Sequence, residues 1–212
     1  REYIEIIKKI LNREGTVEFA GEYYNLPNKD DESTGLGKPL KLIEKPLRNN
    51  IPIYLAAIGP KNIELAAELA DGWLPFMYSP YIGDKIFSNY LDKGFQKSNI
   101  HNKSENFNIV ATVFAKICKD EEKHEYLNPA RSMYTLYVGG MGAKDKNFYF
   151  NLMCDYGYEE EAHEIQNLYL SGKKLEAEAL FPTQLLDELT MVGSKISILE
   201  KLAVWKSSNV TE

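Results

Sequence analysis

Only two cysteines, Cys118 and Cys154, occur among 212 residues, and they lack CxxC spacing. That argues against a disulfide framework and fits free thiols in a reducing compartment, so the expected location is the cytoplasm. Concentrated positive charge is also missing. The 25 Lys and Arg residues are scattered and outnumbered by 31 Asp and Glu, giving a net charge of -6. A nucleic-acid binder needs a basic stripe to neutralise phosphates, so no nucleic-acid partner is expected. No apolar stretch approaches the roughly 20 residues of a bilayer-spanning helix. There is no GxGxxG and no GxxxxGK[ST], so dinucleotide and nucleotide loops are not signalled. His101, His124 and His163 show neither HxxxH nor HxH spacing, and no metal site is expected.

What is present suffices for one sizeable core: 44% of the residues are hydrophobic. Tyr3, Ile6, Ile7 and Ile10 recur at helical spacing and predict an amphipathic helix over residues 2–13, ended by Gly15. Val17, Phe19 and the pair Tyr23-Tyr24 surround Gly21 in a short strand-like excursion. Residues 27–50, rich in Pro, Gly, Asn and Asp, read as a long surface loop.

From residue 51 a rhythm sets in. The apolar run 51–58 reads as a strand buried on both faces of a parallel sheet. A helix follows Gly59-Pro60 with Ile63, Ala66, Ala67 and Ala70 on one face, then a strand from Trp73 to Met77. A helix over 81–97 carries an apolar stripe of Ile82, Ile86, Tyr90 and Leu91, and Ile109 to Ile117 reads as one strand. Such βαβ alternation signals a parallel sheet wrapped by helices. Beyond residue 120 the pattern is helical for some seventy residues, with Ala162, Ile165, Leu168 and Tyr169 marking the clearest helix. Gly193-Ser194 then caps a last helix expected to turn Leu199, Leu202 and Ala203 inward.

The segment from Ile53 to Pro75 carries the chemistry. It sets Gly59 at the end of a buried strand, directly before a helix. Ala56 and Ala57 are small enough to let a ligand approach the backbone, and Gly59 lacks the Cβ that would block it. Pro60 suits the first helical position. The unpaired N–H groups and positive dipole end there would hold a phosphate, with Lys61 adding charge from the side. A strand-Gly-Pro-helix junction is equally a common βα turn, and geometry alone leaves both readings open.

Ile53 to Pro75 closely resembles the luciferase-like monooxygenase superfamily, where a strand ending Ala-Ala-x-Gly-Pro leads through a helix to Ala-Asp-Gly-Trp. Arg1 to Ile7 with Phe19-Ala-Gly-Glu-Tyr-Tyr24 looks like the helix and glycine-tyrosine hairpin of the same barrel. Tyr137-Val-Gly-Gly-Met-Gly142, Asn147-Phe-Tyr149, Gly157-Tyr158 and Val192-Gly193-Ser194 look most like the subgroup using the 8-hydroxy-5-deazaflavin coenzyme. The resemblance implies an α/β fold, the second half of a (β/α)₈ TIM barrel with a helical insertion. It implies a flavin- or deazaflavin-dependent oxidoreductase or monooxygenase, transferring hydride or activating oxygen on a small organic substrate. The cofactor would be the deazaflavin coenzyme (F-420) or FMN, its phosphate seated at Gly59 with Ala57, Ile58, Pro60 and Lys61. Phe76 would line the pocket, and the intact protein is expected to be a homodimer.

Neither end reads as a domain boundary. Arg1 opens inside a helical pattern, and Glu212 falls where an α/β protein starts its next strand. The expectation is that residues 1–212 form the C-terminal portion of one barrel domain, lacking its N-terminal strands and last strand. The catalytic side chains would lie in the missing half, leaving two open sheet edges and an inactive fragment. A non-catalytic flavin-binding relative, an assembly module of the same fold, and an unrelated sugar-phosphate barrel enzyme remain alternatives.

Other features weigh less. Glu159-Glu160-Glu161 opens a helix, where acids suit the dipole. Asp120-Glu121-Glu122 reads as a solvated turn, Cys118 as a small hydrophobe, and Asp71-Gly72 as a helix end. Gly139, Gly140 and Gly142 could form a loop over the site's mouth or merely join two helices, and Tyr134 and Tyr137 could line the pocket or pack in the core.

Overall fold

Helix α1 (Glu2–Asn12) forms where the spacing placed it, and stops at Arg13, whose φ of 52° is left-handed. Ile4 and Ile6 are its buried residues. Tyr3 points outward, against the expectation, and its ring lies 6.4 Å from that of Tyr24. The computed structural model describes residues 1–13, 15–33 and 35–212. β1 (Phe19–Ala20) and β2 (Asn25–Leu26) make the glycine-tyrosine hairpin, antiparallel. The Glu2 carboxylate fixes it by accepting from the N–H groups of Glu22, Tyr23 and Tyr24 at 2.7, 3.0 and 2.9 Å. The described residues of 27–50 are irregular and mostly exposed, apart from a bridge between Val17 and Leu40.

The βα alternation follows as β3 (Tyr54–Leu55), α2 (Pro60–Leu69), β4 (Gly72–Trp73), α3 (Gly83–Lys97) and β5 (Asn108–Ile109). The three strands form a parallel sheet in the order β3-β4-β5. Ile63, Ala66, Ala67 and Ala70 are wholly buried, as their spacing predicts. The run 51–58 departs from expectation: it is not buried on both faces. Among the described residues β3 pairs only with β4, and Ile51 is 40% exposed. In α3 the fully buried positions are Gly83, Phe87, Leu91 and Gly94, while Ile82, Ile86 and Tyr90 are half-buried. Phe87 wins the inward place because it packs edge-on against Trp73, 5.0 Å between ring centres.

The expected single strand 109–117 is two. After β5 the chain changes neighbours, and β6 (Phe114–Ile117) pairs in parallel with β7 (Thr190–Gly193). On the side of β5 away from β4, Thr211 N donates to the Ile109 carbonyl at 2.8 Å and Ala111 N to that of Glu212 at 3.0 Å. Between β6 and β7 stand five helices, α4 (Lys123–Gly140), α5 (Phe148–Asp155), α6 (Glu159–Leu170), α7 (Lys174–Ala179) and α8 (Thr183–Glu188). Their Leu127, Val138, Met153, Ile165, Leu185 and Leu186 join one continuous core with the sheet's Trp73 and Ile109.

Two features of this helical layer bear on the expectations. Gly139 and Gly140 are not loop residues: they end α4, and a Cβ on either would stand 2.6 or 2.5 Å from Tyr169 of α6. These glycines let two helices approach closely. The last helix, α9 (Lys195–Ser207), begins as expected at Ser194, whose hydroxyl accepts from Ser197 N. It does not turn Leu199, Leu202 and Ala203 inward; Lys201 and Trp205 are buried instead. Lys201 spends its three hydrogens on the Asp187 carbonyl, the Asp187 carboxylate and the Thr190 carbonyl at 2.6, 2.6 and 3.0 Å. That polar anchor outweighs the apolar spacing and sets the helix's rotation.

Candidate functional site

At the C-terminal end of β3 the chain runs through Ala56, Ala57 and Ile58 to Gly59, which caps α2 with extended backbone, φ -75° and ψ 147°. That conformation suits any residue, so space decides. A Cβ on Gly59 would lie 3.0 Å from two ring carbons of Phe148. The room read from the sequence as a ligand approach is therefore flanked by a protein ring. What stays available is the backbone. Pro60, at the first helical position, has no N–H, and those of Asn62 and Ile63 turn back onto the Gly59 carbonyl at 2.9 and 3.0 Å. The N–H groups of Gly59 and Lys61 have no partner among the described residues. No acidic side chain stands in the first turn of α2 to compete for its positive end. Pro60 and Lys61 are exposed, and Ala57 and Ile58 are half-buried.

Neighbouring strands fix this turn. Trp73 Nε1 donates to the Ala57 carbonyl at 2.7 Å, two residues before Gly59. Asp71 is tied back to Ile53 through both its N–H and its carboxylate, each at 2.8 Å, so Asp71-Gly72 is structural as expected. Past β4 the half-buried Phe76 lies in an aromatic cluster, its ring centre 4.6 Å from Tyr137, 5.5 Å from Tyr134 and 5.9 Å from Tyr149. Met77 follows with φ 58°, a left-handed backbone costing a side-chain-bearing residue about 1–2 kcal/mol. It is held there by the Tyr156 hydroxyl, which donates to the Met77 carbonyl at 2.6 Å and accepts from Ser79 N at 3.2 Å. Burial raises the pKa of Tyr156 and Tyr134 above the ordinary phenolic value, so both stay neutral donors.

Helix α5 unites the two halves of the site: Phe148 packs at Gly59, and Tyr149 packs at Phe76 and Tyr137. Sequence reasoning assigned neither a role. The signal available was their position in Asn147-Phe-Tyr149, just after the glycine cluster. Beside Pro60 a cleft of about 560 Å³ opens, lined by Ile58, Tyr90, Phe148 and Phe150 and by the carboxylates of Asp155 and Glu159. Tyr134, weighed between pocket and core, is core: it is 1% exposed and its hydroxyl donates to the Leu189 carbonyl. Tyr137 is half-buried beside Phe76.

A second cleft of about 600 Å³ lies at the opposite, N-terminal ends of the strands, lined by Lys8, Tyr54, Asp71, Lys103 and Asn108. Its lysines are already engaged, Lys8 donating to the Leu69 carbonyl and Lys103 to that of Ala70. Among the described residues no group of His, Cys, Asp and Glu could hold a metal ion. Nor, among them, is any helix long and apolar enough to cross a membrane.

The family model for luciferase-like monooxygenases matches residues 1–212. A Mycobacterium tuberculosis protein named as a coenzyme F420-dependent oxidoreductase is 39% identical over 211 residues, all of this chain and 60% of that protein. A 5,10-methylenetetrahydromethanopterin reductase of Archaeoglobus fulgidus is 24% identical over 217 residues, all of this chain and 58% of the relative. Among solved structures, the coenzyme F420-dependent tetrahydromethanopterin reductase of Methanopyrus kandleri superposes with a TM-score of 0.72 at 21% identity. That match covers 98% of this chain and 53% of the other. An F420-dependent secondary alcohol dehydrogenase carrying an F420–acetone adduct gives 0.66 at 14% identity, covering 99% and 52%. These likenesses establish the α/β fold. The chain spans about 60% of the length of the curated relatives it matches. With the family model covering every residue, the chain belongs to the luciferase-like monooxygenase family.

Proposed function

We propose that residues 1–212 are the C-terminal portion of one barrel domain, and that the intact protein is an oxidoreductase using the deazaflavin coenzyme F420. The observation that carries this reading is a pair of N–H groups, Gly59 and Lys61, that have no partner among the described residues at the α2 N-terminus, with the Phe76 cluster following the next strand. A phosphate fits there: the amides donate, the helix dipole favours the anion, and Lys61 adds a mobile cation. The half-buried Phe76 and Tyr137 suit the flat face of a ring system attached to that phosphate. When bound, the cofactor supplies or accepts the hydride; this chain's residues anchor its tail, wall its ring and limit water around it.

Deazaflavin is favoured over FMN by the 39% identical relative, which is named for F420. The similar proteins are named for tetrahydromethanopterin compounds and for a secondary alcohol, so we assign this protein no more than a small organic substrate. We place the protein in the cytoplasm as a homodimer, consistent with two free thiols. The test is a titration of the intact protein with F420 and with FMN, followed by visible absorbance, then a turnover assay of each reduced cofactor. Saturable F420 binding that exceeds FMN binding is expected. Preference for FMN would overturn the cofactor assignment, and failure to bind or oxidise either would leave a non-catalytic relative.

A further inference from the structure

One side chain holds the α5 wall of the site in place. Asn147 is 2% exposed, between the end of α4 and the start of α5. Its Oδ1 accepts from Tyr149 N at 2.9 Å and Phe150 N at 3.1 Å. Its Nδ2 donates to the carbonyls of Tyr137 and Val138, both at 2.8 Å. Both amide hydrogens and both carbonyl lone pairs are thereby used. Capping α5 needs only the oxygen. The nitrogen takes two of the four carbonyls that the last turn of α4 leaves without helical partners. A single amide therefore fixes two helix ends relative to each other.

Both ends carry rings of the site. Phe148, directly after Asn147, has ring carbons 3.0 Å from where a Gly59 Cβ would stand. It is 48% exposed, so burial alone does not hold it. Tyr149 lies 4.7 Å from Tyr137, whose carbonyl the same amide binds. We infer that Asn147 is a positioning residue for cofactor binding, setting Phe148 over the phosphate turn and Tyr149 with Tyr137 against Phe76. This rests on the reading of Gly59 as the phosphate seat.

Two substitutions separate the tie from the cap. Asn147→Ser keeps a hydroxyl acceptor for the start of α5 but cannot donate to both α4 carbonyls. Asn147→Asp keeps the acceptor and turns a carboxylate oxygen toward those carbonyls. Equilibrium titration of the intact protein with F420 reads affinity, thermal unfolding reports folding, and steady-state rates divide the loss between cofactor KM and kcat. Both variants are expected to fold and to raise the F420 Kd about tenfold, as loss of outer positioning partners does at metal sites. The loss should fall more on KM than on kcat, and Phe148→Ala should reproduce it. Wild-type affinity in both variants, where Gly59→Val weakens binding about 100-fold, would reduce Asn147 to a helix cap. Wild-type affinity in Gly59→Val as well would overturn the seat, and the positioning role with it.

Discussion

The two ends of α2 are built oppositely. At its C-terminus the carbonyls of Leu69 and Ala70 are taken by the ammonium groups of Lys8 and Lys103, one from α1 and one from the stretch before β5. Cations there suit the negative end of the dipole. At its N-terminus no side chain caps the helix, no acid stands in the first turn, and two amides have no partner among the described residues. The protein thus satisfies the anionic end of α2 itself and leaves the cationic end open. The open end lies at the C-terminal ends of the parallel strands, where barrel enzymes bind ligands. The cleft at the closed end is slightly larger than the one beside Pro60, yet its lysines are occupied.

Substitutions at the two ends should separate sharply. Gly59→Val has the largest expected effect. It drives side-chain atoms into Phe148 and over the two amides, each of which is worth roughly 1.5–3 kcal/mol to a charged acceptor. F420 affinity in the intact protein should fall by about 100-fold, measured by titration. Trp73→Phe comes next. It removes the donor to the half-buried Ala57 carbonyl, at about 0.5–1.5 kcal/mol for one hydrogen bond, and loosens the approach to Gly59. Denaturant unfolding should show that loss, with a smaller weakening of F420 binding than Gly59→Val gives.

Lys103→Met probes the closed end. Stability should fall by about 1 kcal/mol, within the range for a charge on a partly buried helix terminus, and F420 affinity should not change. A change in affinity there would erase the distinction between the ends. The smallest effect concerns Asp187, far from both. Its burial raises its pKa, but hydrogen bonds from Lys123 and Lys201 outweigh this and hold it below the ordinary value. A carboxylate with a depressed folded pKa stabilises above its unfolded value, near 3.9, and loses that contribution as pH falls further. Asp187→Asn should lower stability at neutral pH and flatten the loss between about pH 4 and the acid limit, as thermal unfolding against pH would show.

Much of this was legible in the residues. The Gly59-Pro60 turn, the inward face of α2 and the acid-rich opening of α6 follow from local rules of spacing, capping and dipole, while the hairpin at Gly21 came from the family resemblance. What was not legible depended on partners distant in sequence. The run 51–58 is apolar enough for burial on both faces, yet a strand is only as buried as its neighbours make it, and among the described residues β3 has one. Leu199 and Leu202 keep helical spacing, but Lys201 finds three oxygen acceptors on the α8–β7 turn and rotates α9 around that anchor. Gly139 and Gly140 could be read as a mouth loop or as a helix connection because their reason, the Tyr169 side chain, lies some thirty residues on. At the candidate site, the Gly59 backbone could be read in advance, while the ring beside it could not. Phe148 is 89 positions away and becomes a neighbour only when Asn147 joins α4 to α5.

That ring also supplies a competing reason for glycine at position 59, since close packing alone would demand it. The most direct measurement is therefore the F420 affinity of Gly59→Val made in a Phe148→Ala background, compared with Phe148→Ala alone. If the α2 N-terminus holds the cofactor phosphate, the valine should still weaken binding by at least about tenfold with the ring gone. If Gly59 exists only to accommodate Phe148, the two proteins will bind F420 equally, and the phosphate seat must lie elsewhere.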